Sequence, residues 1–97
     1  MRFAALFLDS ATPSELDAGL TRAHFEYLGR HAERITMAGG LRPPEGGGFC
    51  GSLWVIEAED EAEARRLVNE DPYCLAGLRP DRKLFRWGEA PRHPATK

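Results

Sequence analysis

Acid-base or nucleophilic chemistry in this chain has to run through three histidines, fifteen carboxylates, two cysteines and a few hydroxyls. The pairing best suited to it is His24 with Asp71. A carboxylate behind a histidine accepts from one ring nitrogen, fixes the tautomer and leaves the other nitrogen facing a ligand, the arrangement of an oriented general base. At the start of a helix the dipole disfavours the protonated ring while the carboxylate favours it, and such opposed pulls suit a group that exchanges protons near neutrality. The plain alternative is a core histidine held by a capping aspartate for stability alone. Ser52 offers a hydroxyl, and the backbone N–H groups around Gly51 offer donors to an anionic oxygen; equally, Gly-Ser at a strand start serves tight packing. Tyr73 can wall a pocket and present its hydroxyl, or plug a helix end. Arg22 can steer an anionic substrate, or pair with Glu26 one turn on along a solvated face.

Other chemistries find less support. His31 lies seven residues from His24, about 10 Å along a helix, too far for both to hold one metal ion, and no metal or cofactor motif appears elsewhere. His93 falls in a polar tail. Gly46, Gly47 and Gly48 are not followed by Lys-Ser/Thr or by a helix, so they do not form a phosphate loop and read as a flexible connection. Cys50 and Cys74 match no C-x-x-C or finger spacing, which fits a reducing cytoplasm better than a disulfide framework. No nucleophile elbow surrounds Ser52.

With 97 residues there is room for one domain, expected over residues 1–90 with 91–97 as a flexible tail. Thirteen basic against fifteen acidic residues leave a net charge of -2, and the basic ones are scattered, so nucleic acid has no stripe to follow. The apolar start, Met1 to Leu8, is too brief for a membrane span or a secretory leader and reads as a strand.

The elements that must position His24 and Asp71 follow from periodicity. Phe3 to Leu8 is a first strand, ended by Asp9 and Ser10. Thr12-Pro13-Ser14-Glu15 has capping-box form, Gly19 interrupts, and Thr21 offers a second start for a helix over Arg22 to Ala32. Leu20, His24, Tyr27, Leu28 and His31 share one face of that helix. Ile35 to Leu41 and Phe49 to Glu57 are strands flanking the Gly-rich loop. Asp60 caps a second helix with apolar face Ala64, Leu67 and Val68, and Asp71 is the next position on it, with Pro72 closing the helix. Tyr73 to Arg82 is a connection and Lys83 to Trp87 a last strand.

This βαββαβ order predicts a ferredoxin-like α+β fold, a four-stranded antiparallel sheet with both helices on one face. In that topology the helices are antiparallel and the start of the first lies beside the end of the second. His24 and Asp71 therefore meet, at the end where Gly51, Ser52 and Tyr73 also arrive. The sheet's other face needs a cover. Phe3, Ala5 and Phe7 alternate with Ala4, Leu6 and Leu8, and Leu53 and Val55 with Trp54 and Ile56, so neither face is polar; a homodimer packed sheet to sheet is expected.

Arg22-Ala23-His24-Phe25-Glu26-Tyr27-Leu28, Ala38-Gly39-Gly40-Leu41, Gly51-Ser52-Leu53, Asp71-Pro72-Tyr73 and Ala76-Gly77-Leu78 occur in an order and spacing that resemble the YCII-related domain family, the YciI-like proteins, from Met1 to about Gly88. The resemblance implies a dimeric α/β barrel of ferredoxin-like halves and a histidine-aspartate active-site pair, carried over to His24 and Asp71. It also implies a range of roles. One branch resembles dehydrochlorinases of chlorinated hydroxyquinols, the fold is similar to that of muconolactone isomerases, and some members accompany sigma factors. The loop from Arg42 to Gly48 is long and Pro-rich beside the family pattern. Two functions follow as expectations: a small enzyme in which His24 moves a proton on a small polar, anionic or aromatic carbonyl compound, in lyase or isomerase style, or a non-catalytic module for ligand binding or dimerisation.

Overall fold

The computed structural model describes residues 1–8 and 18–93. The expected capping box at residues 12–15, the strand end at Asp9 and Ser10, and the last four residues of the tail lie outside them. The elements are β1 (Arg2–Phe7), α1 (Ala18–Arg30), β2 (Ile35–Leu41), β3 (Gly51–Glu57), α2 (Glu61–Asn69), a short α3 (Pro72–Leu75) and β4 (Arg82–Arg86). The strands form one sheet in the order β2-β3-β1-β4, with every neighbouring pair antiparallel. This is the ferredoxin-like arrangement.

Pairing register decides which side chains share a face. Phe3 is opposite Ile56, Ala5 opposite Trp54 and Phe7 opposite Ser52, so these project together toward the helices. Phe3, Ala5, Phe7, Trp54 and Ile56 are all buried there, joined by Tyr27 of α1 and Ala64, Leu67 and Val68 of α2. The α2 face is the one its periodicity predicts. Asp60 caps α2, accepting from the Glu63 N–H at 2.8 Å, and Tyr27 Oη donates to the Leu67 carbonyl at 2.8 Å. The contacts of Tyr27 with Leu67 and of His24 with Asp71 run in opposite chain directions, as antiparallel helices require.

Four expectations need correction. First, α1 passes through Gly19 and Thr21 and ends at Arg30. Burial of its Leu20, His24 and Tyr27 face outweighs the roughly 1 kcal/mol by which glycine disfavours a helix interior. Second, β3 opens at Gly51, not Phe49; the Cys50 N–H still bonds the Leu41 carbonyl at 2.8 Å, but Phe49 leaves the ladder and its ring lies against Gly40. Third, α2 does not run on to Asp71. It stops at Asn69, and Asp71, extended as a residue before proline must be, caps α3 instead, its carboxylate accepting from Cys74 N–H at 3.3 Å. Fourth, Pro72 opens that helix rather than closing the previous one, because proline at the first helical position gives up an N–H that has no partner anyway.

A candidate acid-base site between two helices and the sheet

His24 lies on the second turn of α1, on the face turned to the sheet, and is 6% exposed. The helix dipole acts within the first turn, so the pull expected for a histidine at a helix start does not apply here and its orientation comes from side chains. Nδ1 meets Asp71 Oδ1 at 2.5 Å. Asp71 has no exposed surface, its second oxygen accepts from the Cys74 N–H, and Arg79 Nη1 stands 3.9 Å from that oxygen. Oδ2 is therefore an acceptor, and a carboxylate in its ordinary ionised form accepts at Oδ1 as well. Nδ1 is then the donor, and Nε2 is left as the basic nitrogen. Tyr73 stacks on the imidazole with centroids 4.2 Å apart and planes 21° from parallel, and its hydroxyl donates to Thr21 Oγ1 at 3.0 Å.

His24, Tyr73 and Thr21 line a cavity of about 280 Å³, together with Phe25, Leu28, Phe49, Trp54 and the Gly39-Gly40 segment, with Asp71 behind His24. That is space for a single-ring compound, with aromatic walls and a few polar groups, the usual make-up of a small-molecule site. Ser52 and Gly51 are in the wall. Gly51 has a packing reason to be glycine, since a Cβ there would lie 2.3 Å from the Phe7 carbonyl oxygen. Arg22 is exposed on α1 and is not part of the wall.

The wall also contains Arg79, which sequence reasoning missed. Its side chain is 11% exposed, Nη2 donates to Ser52 Oγ at 3.0 Å, and Cζ lies over the rings of Phe7 (4.5 Å) and Tyr73 (4.9 Å). Burial pushes its guanidinium below the usual arginine range, and Asp71 pulls it back up. The turn that aims it inward is a Schellman cap on α3. Gly77 adopts φ +77, its N–H bonds the Cys74 carbonyl, and the Leu78 N–H bonds the Tyr73 carbonyl, both at 3.0 Å. The only sequence signal was that glycine, two residues before an arginine in an otherwise ordinary connection. Cys74 is buried and burial pushes its thiol up to about 11, which makes it a poor nucleophile. Among the described residues no three His, Cys, Asp or Glu side chains gather as a metal site would require, and no helix is long and apolar enough to cross a membrane.

The model of the YCII-related domain matches residues 1–88. The chain belongs to this family. Among solved structures, this YCII-related domain is similar to 5-chloro-2-hydroxyhydroquinone dehydrochlorinase (TftG) from Burkholderia phenoliruptrix AC1100, in its complex with 2,5-dihydroxybenzoquinone. The two share 26% identity over 93% of this chain and 96% of that one, with a TM-score of 0.78. A second neighbour, the cofactor-independent oxygenase SnoaB from Streptomyces nogalater, shares 16% identity over 92% and 93% of the two chains with a TM-score of 0.52; it speaks for the fold alone. No curated protein matches the chain. In this YCII-related domain the two halves of the candidate site, His24 and Asp71, stand 47 residues apart in sequence and are joined only by the fold.

Proposed function

We propose that this YCII-related domain is a small-molecule enzyme of lyase or isomerase type, in which His24 is the general base, Asp71 its orienting carboxylate, and the substrate a small hydroxylated ring. The observation that carries the proposal is the buried Nδ1 to Oδ1 contact at the wall of a ring-sized aromatic cavity. The likeness to a dehydrochlorinase that acts on a chlorinated hydroxyhydroquinone and is seen with a dihydroxybenzoquinone supports the substrate class. Stacking of Tyr73 on His24 extends a flat apolar surface against which a ring can lie. HCl elimination from such a ring needs no electron acceptor. The ring first tautomerises, one hydroxyl proton moving to the chlorine-bearing carbon as its C–O becomes a carbonyl. The base then takes a second hydroxyl proton, that O–H pair becomes the second C=O, the ring π pair shifts to a new C=C at the former C–Cl carbon, and chloride leaves with the C–Cl pair. His24 Nε2 is the acceptor for that proton, and positioned bases of this kind contribute about 10²- to 10⁴-fold to rate.

We further propose that the working unit is a homodimer closed through the outer face of the sheet. Leu6, Leu53 and Val55 are only partly covered there, and Met37 and Phe85 are exposed beside them, more apolar surface than a single chain ordinarily leaves in water.

The test is chloride release from 5-chloro-2-hydroxyhydroquinone. The parent protein turns over, His24→Ala falls by at least 10²-fold with its fold intact by circular dichroism, and Asp71→Asn falls as well because an amide cannot act as a carboxylate toward Nδ1. A parent protein that binds the ring with no turnover of it or of related hydroxylated rings would overturn the enzyme in favour of a binding module.

A further inference from the structure

We propose that Arg79, acting through Ser52, makes one wall of the cavity a donor site for an anionic ring oxygen, so that the pocket selects substrates whose oxygen bears the charge left when His24 takes the proton. This rests on the enzyme reading above and adds to it a positioning residue and a charge requirement on the ligand.

The geometry supports it in three steps. A guanidinium only donates, so in the 3.0 Å contact between Arg79 Nη2 and Ser52 Oγ the serine oxygen is the acceptor. The Ser52 hydroxyl hydrogen is thereby directed elsewhere, and Ser52 lies in the cavity wall. A hydroxyl that accepts from a cation in a low-dielectric setting is a stronger donor than one in water.

Secondly, Arg79 is not used up by Asp71. Asp71 Oδ1 is taken by His24 and Oδ2 by the Cys74 N–H, while Nη1 stands 3.9 Å from Oδ2 and is buried without a hydrogen-bond partner. Arginine buried for stability ordinarily forms a bidentate pair with a carboxylate. An unpaired donor on a buried cation is unfavourable in itself, and its position beside a pocket marks a functional site.

Thirdly, the charges balance when the reaction is considered. With His24 neutral, Asp71 and Arg79 cancel. Proton transfer to Nε2 breaks the ring's O–H or C–H bond, forms an N–H bond that makes the imidazole cationic, and leaves an oxyanion or enolate on the ring; no covalent bond joins substrate to protein. A donor already oriented toward that oxygen, with a fixed positive charge behind it, stabilises the product of the transfer more than the neutral ring, which is what catalysis requires. The stacking of the guanidinium between Phe7 and Tyr73 holds it rigidly in place.

The probe is 4-nitrophenol, whose phenol and phenolate forms have distinct absorbance. The parent protein binds the phenolate at least ten-fold more tightly than the phenol, seen as a growing phenolate band when protein is added near the probe's midpoint of ionisation. Ser52→Ala, a small change at a half-buried site, abolishes that preference, weakening phenolate binding at least ten-fold more than phenol binding. Arg79→Met does the same, and Arg79→Lys restores part of it. A Ser52→Ala protein that retains the full phenolate preference would overturn the proposal, as would a parent that binds neither form. With the fold of Ser52→Ala checked by circular dichroism, the outcome does not depend on whether Arg79→Met folds. Phenolate preference without chloride release sinks the enzyme reading alone; chloride release by Ser52→Ala at the parental rate sinks this inference alone.

Discussion

At the scale of single residues, the chemistry of the site comes from which atoms are already engaged. Tyr73 donates to Thr21 and stacks on His24, so its hydroxyl is occupied and its ring is the useful part. Tyr73→Phe is expected to lower stability by about 1 kcal/mol through the lost hydrogen bond while turnover stays within a few-fold; urea denaturation and chloride release measure the two effects separately. Cys74 and Tyr27 add a pH dependence. Burial raises the thiol from 9.0 to about 11 and the phenol from 10.0 to about 12. Between the unfolded and folded values the unfolded chain has lost protons that the native one keeps, so stability falls as pH rises. Denaturation midpoints are therefore expected to hold to about pH 9 and decline between pH 9 and 12, less steeply in Cys74→Ala. Native alkylation with iodoacetamide is expected at the exposed Cys50 well before the buried Cys74.

The elements place these atoms through their ends rather than their middles. Asp71 reaches α1 because α2 stops at Asn69 and the chain turns into α3, which sets the carboxylate at a corner instead of on a helix flank. Arg79 reaches Ser52 because the cap on α3 turns the chain at Gly77, and Arg82 holds the following segment, donating to the Arg79 carbonyl at 2.7 Å and to Asn69 Oδ1 at 3.1 Å. An alanine at Gly77 has open space for its methyl group but not the backbone freedom. Gly77→Ala should cost about 1–2 kcal/mol through the left-handed conformation alone, and the phenolate preference proposed for the pocket should weaken along with it. Absorbance titration and a melting curve on one sample would show both; a destabilised protein with undiminished preference would mean that the cap does not position Arg79. β3 carries the opposite constraint. At Gly51 the Cβ would strike the Phe7 carbonyl oxygen, so Gly51→Ala has to separate β3 from β1, the pair on which the sheet's register depends.

For the molecule as a whole, the sheet has a finished face and an unfinished one. The helix side buries Phe3, Phe7, Trp54 and Ile56 almost completely, whereas Met37 is 68% and Phe85 52% exposed on the far side. β4 pairs Ala4 with Phe85 and β2 pairs Met37 with Val55, which places these side chains on one continuous apolar surface with Leu6 and Leu53. If a second copy covers it, the parent sediments as a dimer at micromolar concentration, and Phe85→Glu shifts it toward the monomer by at least ten-fold in dissociation constant, since a carboxylate buried in an apolar interface has no partner. A parent protein that sediments as a monomer would remove the sheet-to-sheet dimer.

Much of this architecture was written in local pattern. β2 runs over the seven residues expected of it, the α2 core face is the expected Ala64, Leu67 and Val68, and the order of elements was enough to imply antiparallel helices and hence a meeting of His24 with Asp71. That much is legible because hydrophobic period and chain connectivity are properties of the chain itself. The register of the meeting was not. Gly19 inside α1 follows from burial against distant elements that outweighs local preference, whereas the early stop of α2 and the start of α3 turn on Pro72, which extends Asp71 and opens the next helix instead of closing the last. Arg79 shows the difference most clearly. In sequence it is one basic residue among thirteen, and its importance comes from three neighbours at positions 7, 52 and 73. The sequence determined that a histidine and an aspartate would share one end of this fold. Only the tertiary structure put a largely buried cation on the serine that shares a cavity wall with His24, because a charge becomes strong where water is excluded, and that exclusion belongs to the packed fold alone.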